Sequence, residues 1–219
     1  MTTTTTRDGV ASQRIADSLR EAILRGAYLP GTRIRQEDIA EQFQASRLPV
    51  REALRMLEAD GLVTLVANTG AWISRLSLAE CEEMYQIRER IEPLLLRFSA
   101  PLLTAEDLDR LDSLATEMET ADGVEEFLRL DSEFHMLSYS GADTAVLGAT
   151  VKRLWNATQH YRRAFTRLLD PQASSAVHYE HHLLVGALKR NDSDDAERVL
   201  FGHIRRTRLE LERHPEVFS

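Results

Sequence analysis

Residues 47–58 contain two stripes of side chains at helical spacing, and these stripes restrict the fold more than any other feature of the sequence. Val50, Leu54 and Leu57 recur at i, i+4 and i+7, which predicts a helix with one buried face. A basic stripe follows the same period on a separate face, at Arg47, Arg51 and Arg55. Ser46 is a suitable N-cap for such a helix. The segment therefore predicts an amphipathic helix with a positively charged outer face.

The residues after this helix predict a small β-hairpin. Gly61 ends the helix, residues 62–66 are typical of a strand, and a turn at 68–70 leads into a return strand over 71–74. Two further helices come before it, at residues 10–26 and about 36–43. Three helices followed by a hairpin is the arrangement of a winged helix-turn-helix, in which the second helix of the pair enters the major groove.

The basic stripe has two possible interpretations. Glu52 and Glu58 are interleaved with the arginines, which is typical of a solvated helix face. Guanidinium groups also bind phosphates and pair with guanine, so the same stripe could contact DNA. The hairpin at the right distance from the helix favours the second interpretation.

Residues 77–215 are predicted to be helical throughout, with no alternation of the kind that a strand shows. The predicted helices lie near 77–99, 104–121, 124–140, 143–168, 173–190 and 193–213. The expected fold is therefore mainly α, with a winged helix-turn-helix over 10–75 and an all-α bundle over 77–215. We expect residues 1–9, which include five consecutive threonines, to form a disordered N-terminus.

Composition separates the same two regions. Residues 1–77 have a net charge of +1 and the remainder −9, and all seven histidines lie at or beyond His135. No run of 18 apolar residues and no secretory h-region is present, so we expect neither a membrane span nor export. A single cysteine, Cys81, fits a reducing compartment, and we expect the protein to be cytoplasmic.

Four polar residues fall on apolar stripes of the predicted bundle. Asp131 and His135 lie one turn apart on one helix, and His181 and His203 lie within the apolar stripes of the last two helices. An unpaired buried carboxylate is costly. A divalent metal with nitrogen and oxygen ligands would remove that cost. The pattern predicts a metal site formed by these four residues.

Other interpretations of these histidines stay open. A single histidine on an apolar face is more often a hydrogen-bonded core residue, and His178 and His182 are weaker alternatives to His181. A metal with an open position can activate water, so a metal-dependent hydrolase is an alternative, although no further inward base is evident. The metal could also be structural, or could itself be the sensed signal.

Three strings of the first region are specific to a known family. They are Glu-Asp-Ile-Ala-Glu-Gln-Phe at 37–43, Ser-Arg-Leu-Pro-Val-Arg-Glu-Ala-Leu at 46–54 and Leu-Glu-Ala-Asp-Gly-Leu-Val at 57–63. The region resembles the DNA-binding domain of the GntR family of bacterial transcription regulators. The resemblance implies that Arg47 and Arg51 contact double-stranded DNA, assisted by Ser46 and the wing around Gly70. The expected DNA-binding residues are Arg35, Ser46, Arg47, Leu48, Arg51, Arg55, Asn68, Thr69 and Gly70.

The chain departs from that family's pattern at three positions. Many members have threonine where this chain has Leu48, and wing arginines are common where it has Val66 and Thr69. The wing is therefore less basic than usual. We expect weaker phosphate anchoring, or anchoring by other residues such as Arg33, Arg35 and Arg75.

The second region resembles the FCD ligand-binding domain of the FadR subfamily of GntR regulators. The matching pieces are Leu130-Asp-Ser-Glu-Phe-His135, Glu180-His181 with the residues at 187–192, and those at 196–198 with His203. The resemblance implies that Asp131, His135, His181 and His203 bind a metal, zinc or nickel, whose coordination a small carboxylate effector completes.

The family's first FCD helix also implies a role for Arg88. Its guanidinium could pair with the effector carboxylate. A salt bridge to Glu92 at i+4 is an equally good interpretation. The whole resemblance implies a homodimeric, ligand-responsive regulator, a repressor rather than an activator, that binds a palindromic operator and is not an enzyme.

Overall fold

The computed structural model describes residues 3–67, 69–168 and 171–218, and most of them are helical. The helices are α1 (Thr3–Leu24), α2 (Gln36–Gln42), α3 (Arg47–Ala59), α4 (Leu78–Ser99), α5 (Ala105–Glu119), α6 (Val124–Ser138), α7 (Leu147–Thr166), α8 (Pro171–Lys189) and α9 (Ser193–Glu212). The strands are β1 (Arg33–Ile34), β2 (Val63–Val66) and β3 (Gly70–Ile73). Short 3₁₀ turns follow α4 and α9, at Ala100–Leu102 and Pro215–Phe218.

The chain forms two compact units. The first comprises Met1–Leu76 and the Lys152–His160 segment of α7, and the second comprises Ser77–Val151 and Tyr161–Ser219. The predicted domains also divide near residue 76, but they assign the whole of α7 to the helical domain. Within the first unit, Asn156 Nδ2 donates a hydrogen bond to the Asp60 carbonyl oxygen at 3.1 Å.

The first unit is a winged helix-turn-helix, as predicted. Its core is formed by the apolar faces of α1 and α3, where Ile15, Leu19, Val50, Leu54 and Leu57 are buried. The strands form an antiparallel sheet in the order β1-β3-β2, and the hairpin between β2 and β3 is the wing. The Glu58 carboxylate accepts a hydrogen bond from the Leu65 amide at 3.0 Å, which ties the wing to α3.

The first unit differs from the sequence prediction in two elements. Strand β1 was not predicted, because two residues are too short to show a period. Helix α1 begins at Thr3 rather than near residue 10, so residues 3–9 are helical where we expected disorder. Adding residues to an existing helix costs far less than nucleating one, so a helix can extend beyond its apolar positions.

The second unit is all helical in its described residues, and its helices match the predicted segments closely. Helix α4 packs along α9, α5 packs against α6 and α8, and α8 also packs against α9. Capping boxes at Ser77 with Glu80 and at Thr104 with Asp107 fix the starts of α4 and α5. No helix in the described part of the chain is both long and apolar enough to cross a bilayer.

Candidate functional site

The expected DNA-binding residues of α3 lie on its outer surface. Ser46 is the N-cap, although its side chain makes no capping hydrogen bond, and Arg47, Leu48, Arg51 and Arg55 are exposed. Arg47 lies 3.3 Å from Glu37, and Arg55 lies 2.9 Å from Glu52. Arg51 is therefore the arginine of this stripe without an ion-pair partner among the residues that the structure describes.

A groove runs between α3 and the wing. Its lining residues are Gln36, Arg51, Leu54, Arg55, Leu65, Val66, Ala67, Thr69 and Gly70. Four of the residues expected to bind DNA thus lie around one concave surface. Arg35 is exposed at the N-cap of α2, and Asn68 lies outside the described residues.

Arg33, one of the residues expected to anchor phosphate, contacts the turn of the wing. Its guanidinium donates to the Thr69 carbonyl oxygen at 2.7 Å and lies over the Trp72 ring, 5.6 Å from the ring centroid. Gly70 follows this contact at φ +126°, a value that L side chains rarely adopt. Arg33 therefore holds the turn of the wing in place.

The structure brings together Asp131, His135, His181 and His203 in the second unit. They come from α6, α8 and α9, and one potential ligand atom from each lies within 4.8 Å of all the others. His181 Nε2 and His135 Nε2 lie 3.3 and 3.7 Å from Asp131 Oδ1. The imidazole centroids are 4.9–5.5 Å apart. Asp131, His135 and His181 are buried, and the side chain of His203 is 12% exposed.

The electrostatics of this cluster keep Asp131 ionised. Burial opposes its ionisation, but the Arg162 guanidinium holds its pKa well below the usual range. Arg162 lies on α7 and hydrogen-bonds to Asp131 Oδ2. This arginine was not predicted, because its position in the sequence resembles that of any charged residue on a helix.

The surroundings of the three histidines favour the neutral form of each imidazole. Burial is the main cause, and it lowers the pKa of His135 and of His181; it lowers that of His203 to about 4. Neutral imidazoles and an ionised carboxylate are the protonation states that bind metal. The donor set is therefore suited to a divalent cation without any proton having to leave.

Glu180 and Arg206 form a second layer around His203. Glu180 Oε2 lies 2.8 Å from His203 Nδ1, and the Arg206 guanidinium contacts the same carboxylate. A carboxylate on Nδ1 fixes the tautomer and the ring orientation, which leaves Nε2 as the ligand atom. The Nδ1 atom of His181 is buried without a hydrogen-bond partner within the described part of the chain.

These observations fit a metal. Three neutral nitrogens and one anionic oxygen form the ligand set that zinc and nickel accept. Metal ligation would satisfy buried imidazole groups, and a carboxylate already supports one of them. Asp131, His135, His181 and His203 are the residues that could hold the ion.

Arg88 forms a salt bridge with Glu92. This is the second of the two interpretations that the sequence allowed, the first being a contact with the effector. Arg88 is buried, its Nε hydrogen-bonds to Glu92, and it lies over the Tyr85 ring at 4.7 Å from the centroid. Glu92 also accepts a hydrogen bond from the Tyr139 hydroxyl at 2.8 Å. The charge of Arg88 nevertheless influences the pKa of His203, so this network lies beside the histidine cluster.

The other four histidines, among them His160, are not members of the cluster. His182 pairs with Glu119 at 2.9 Å, and His178 packs edge-on against Phe127 with ring centroids 5.9 Å apart. His214 contacts Glu216 at 2.8 Å. The two weaker alternatives to His181 are thus not part of the four-residue group.

Comparisons with known proteins give the same division of the chain. Residues 11–73 match the model of bacterial regulatory proteins of the gntR family, and residues 83–206 match the FCD domain. The chain is 29% identical over 191 residues to the uncharacterized HTH-type transcriptional regulator YdhC of Bacillus subtilis, covering 85% of this chain and 84% of that protein. It is 26% identical over 197 residues to the HTH-type transcriptional repressor RspR of Escherichia coli, covering 88% and 85%.

A solved structure shows the same fold. The E. coli protein McbR/YncC superimposes with a TM-score of 0.78 at 22% identity, covering 93% of this chain and 98% of that one. The two relatives named above are transcriptional regulators, which argues against the hydrolase alternative. The chain therefore belongs to the GntR family of bacterial transcriptional regulators and combines a winged helix-turn-helix with an FCD domain.

Proposed function

We propose that this ligand-responsive regulator is a metal-containing dimeric repressor. It binds a palindromic operator in the cytoplasm and responds to a small organic acid. The observation that carries the proposal is the buried group of Asp131, His135, His181 and His203, whose ligand atoms converge to within 4.8 Å. Repression rather than activation is supported by the name of one relative, the repressor RspR.

Zinc is the metal we propose, with nickel as the alternative. When bound, the metal would supply a Lewis-acidic position to which an effector carboxylate can coordinate. The histidines would hold it through nitrogen, and Glu180 would keep His203 in the correct tautomer.

The proposed effector class follows from the charges around the cluster. Arg88 and Arg162 are buried guanidinium groups whose charges act on His203. Both arginines are already paired, Arg88 with Glu92 and Arg162 with Asp131, so they would act on an effector through their charge. Positive charge beside the metal favours an acid over a neutral ligand, and the site would thus bind a small carboxylate at the metal.

We expect a small carboxylic acid to raise the melting temperature of the metal-loaded protein and to have no effect after chelation. At 100 times its dissociation constant, a ligand stabilises the folded state by about 2.7 kcal/mol. For a chain of 219 residues, we expect the melting temperature to rise by about 5–10 °C. A thermal-shift screen of small acids on metal-loaded and chelator-treated protein measures this.

Two results of that screen would contradict the proposal. Equal stabilisation by an acid with and without metal would separate the acid site from the metal. Stabilisation by metal alone, with no acid active, would instead favour a structural metal or a metal sensor.

A dimer interface is supported by an apolar stripe on α4. Ile87, Leu94 and Phe98 are exposed by 40%, 42% and 50%, and the partly buried Met84 and Ile91 belong to the same row, before Ile87 and between Ile87 and Leu94. The spacing alternates between three and four residues, which is the pattern of a helix that packs against another helix. We propose that this α4 stripe packs against the second copy.

Leu94→Glu is expected to weaken the dimer by at least about 100-fold, because each interface would bury an unpaired carboxylate at a cost of several kcal/mol. Sedimentation equilibrium measures the change. Leu183→Glu is the matched control, since Leu183 is an exposed leucine of α8 outside the stripe. A Leu94→Glu protein as dimeric as the control would show that the dimer forms elsewhere.

A further inference from the structure

Leu48 is an exposed apolar side chain within a charged surface. It is 54% exposed in the first turn of α3, next to Arg47, whose side chain is 73% exposed. The core face of α3 is formed by other residues, among them Val50 and Leu54, which are fully buried. Burial in the first unit therefore does not explain a leucine at this position.

Leu48 lies on the same face of α3 as the groove arginines. Arg51 and Arg55 follow it at i+3 and i+7, and both line the groove between α3 and the wing. A side chain three positions before Arg51 is its neighbour on the helix surface. Leu48 therefore lies in the same row as Arg51 and Arg55, about one turn closer to the N-terminus of α3.

An aliphatic side chain can recognise only one feature of the major groove. Leucine neither donates nor accepts a hydrogen bond, and the single apolar group on the major-groove edges of the four bases is the thymine 5-methyl. We propose that Leu48 packs against a thymine methyl in each operator half-site and selects thymine at that position. The inference rests on the proposed operator binding through α3.

The expected effect is modest and measurable. Loss of the contact is expected to weaken binding by about fourfold per half-site, which corresponds to about 0.8 kcal/mol, the value for one buried methylene group. A dimer makes the contact twice, so its affinity for the operator would fall by about 16-fold. The two half-sites are separate, and their energies therefore add.

Deoxyuridine tests the proposal because it removes the methyl and keeps base pairing. The wild-type protein first selects an operator from random duplex DNA. Each thymine of a half-site is then replaced by deoxyuridine, symmetrically in both half-sites, and the dissociation constants of the wild type and Leu48→Ala are measured. We expect one thymine position at which the replacement weakens DNA binding by the wild type about 16-fold. At the same position, the affinity of Leu48→Ala should not change.

Three other results would count against the proposal. If the wild type and Leu48→Ala lost affinity equally at every replaced thymine, the assignment to Leu48 would be overturned. The same would follow if no replacement changed the affinity of the wild type. Leu29→Ala, at an exposed leucine outside the groove, is the control and is expected to behave as the wild type. A wild-type protein that selects no DNA at all would contradict the proposed function itself.

Discussion

Asp131→Asn is expected to lower the affinity of the protein for zinc by about 100- to 1000-fold. Structural zinc sites with four ligands bind with about 10–16 kcal/mol, so one ligand corresponds to about 2.5–4 kcal/mol. Asp131 is the only anion of the four ligands, and two imidazoles approach its Oδ1 within 3.7 Å. Asparagine preserves the shape of the side chain and removes the charge.

Metal content per chain and a competition titration with a chromophoric chelator measure the loss. Because Asp131 also hydrogen-bonds to Arg162, a second variant, His181→Gln, keeps that pair while removing a ligand. Glu119→Gln is the matched control, because Glu119 contacts His182 outside the cluster. Wild-type metal affinity in both Asp131→Asn and His181→Gln would show that the metal binds elsewhere.

Arg51→Ala is expected to weaken operator binding by about 6- to 150-fold per half-site while leaving the fold and the dimer intact. Arg51 is exposed, lines the groove, and lacks an ion-pair partner among the described residues, so its guanidinium is available to DNA. An arginine that pairs with guanine contributes about 1–3 kcal/mol of discrimination.

Fluorescence anisotropy with a labelled operator measures the change, and repetition on a guanine-substituted operator tests the base contact. Arg25→Ala removes an exposed arginine of the same unit that pairs with Glu21 outside the groove, and should retain wild-type affinity. If Arg51→Ala bound as tightly as this control, Arg51 would have no part in DNA recognition.

The winged helix-turn-helix could be predicted because its elements have strong local signals. The stripe of Val50, Leu54 and Leu57 defines α3, and Gly61, at φ +77°, ends it at a position where a side chain would be strained. Strand β1 has no such signal, because two residues pair with β3 only after the wing has folded back.

The candidate metal centre could be predicted because its ligands are unusual where they occur. A carboxylate or an imidazole on an apolar stripe is costly to bury unless it is paired or bound, and here three helices carry such groups. Arg162, Glu180 and Arg206 surround the same site but were not assigned to it, since charged residues on helices are ordinary and only the folded structure shows which ones turn inward.

Arg88 shows where spacing alone left two interpretations. Its separation from Glu92 fitted both a salt bridge and an effector contact. The structure has the salt bridge, but in the buried interior rather than on the helix surface. Because the pair is buried, the charge of Arg88 still acts on the histidine cluster, which sequence spacing could not reveal.

The measurement that tests the central claim most directly is operator release in the presence of metal and acid. The anisotropy of a labelled operator bound by metal-loaded protein is followed as small carboxylic acids are added, in parallel with chelator-treated protein and with Asp131→Asn. We predict that an acid that stabilises the metal-loaded protein releases DNA only from the metal-loaded wild type. Release that is equal in all three samples, or stabilising acids that leave DNA bound, would contradict the account.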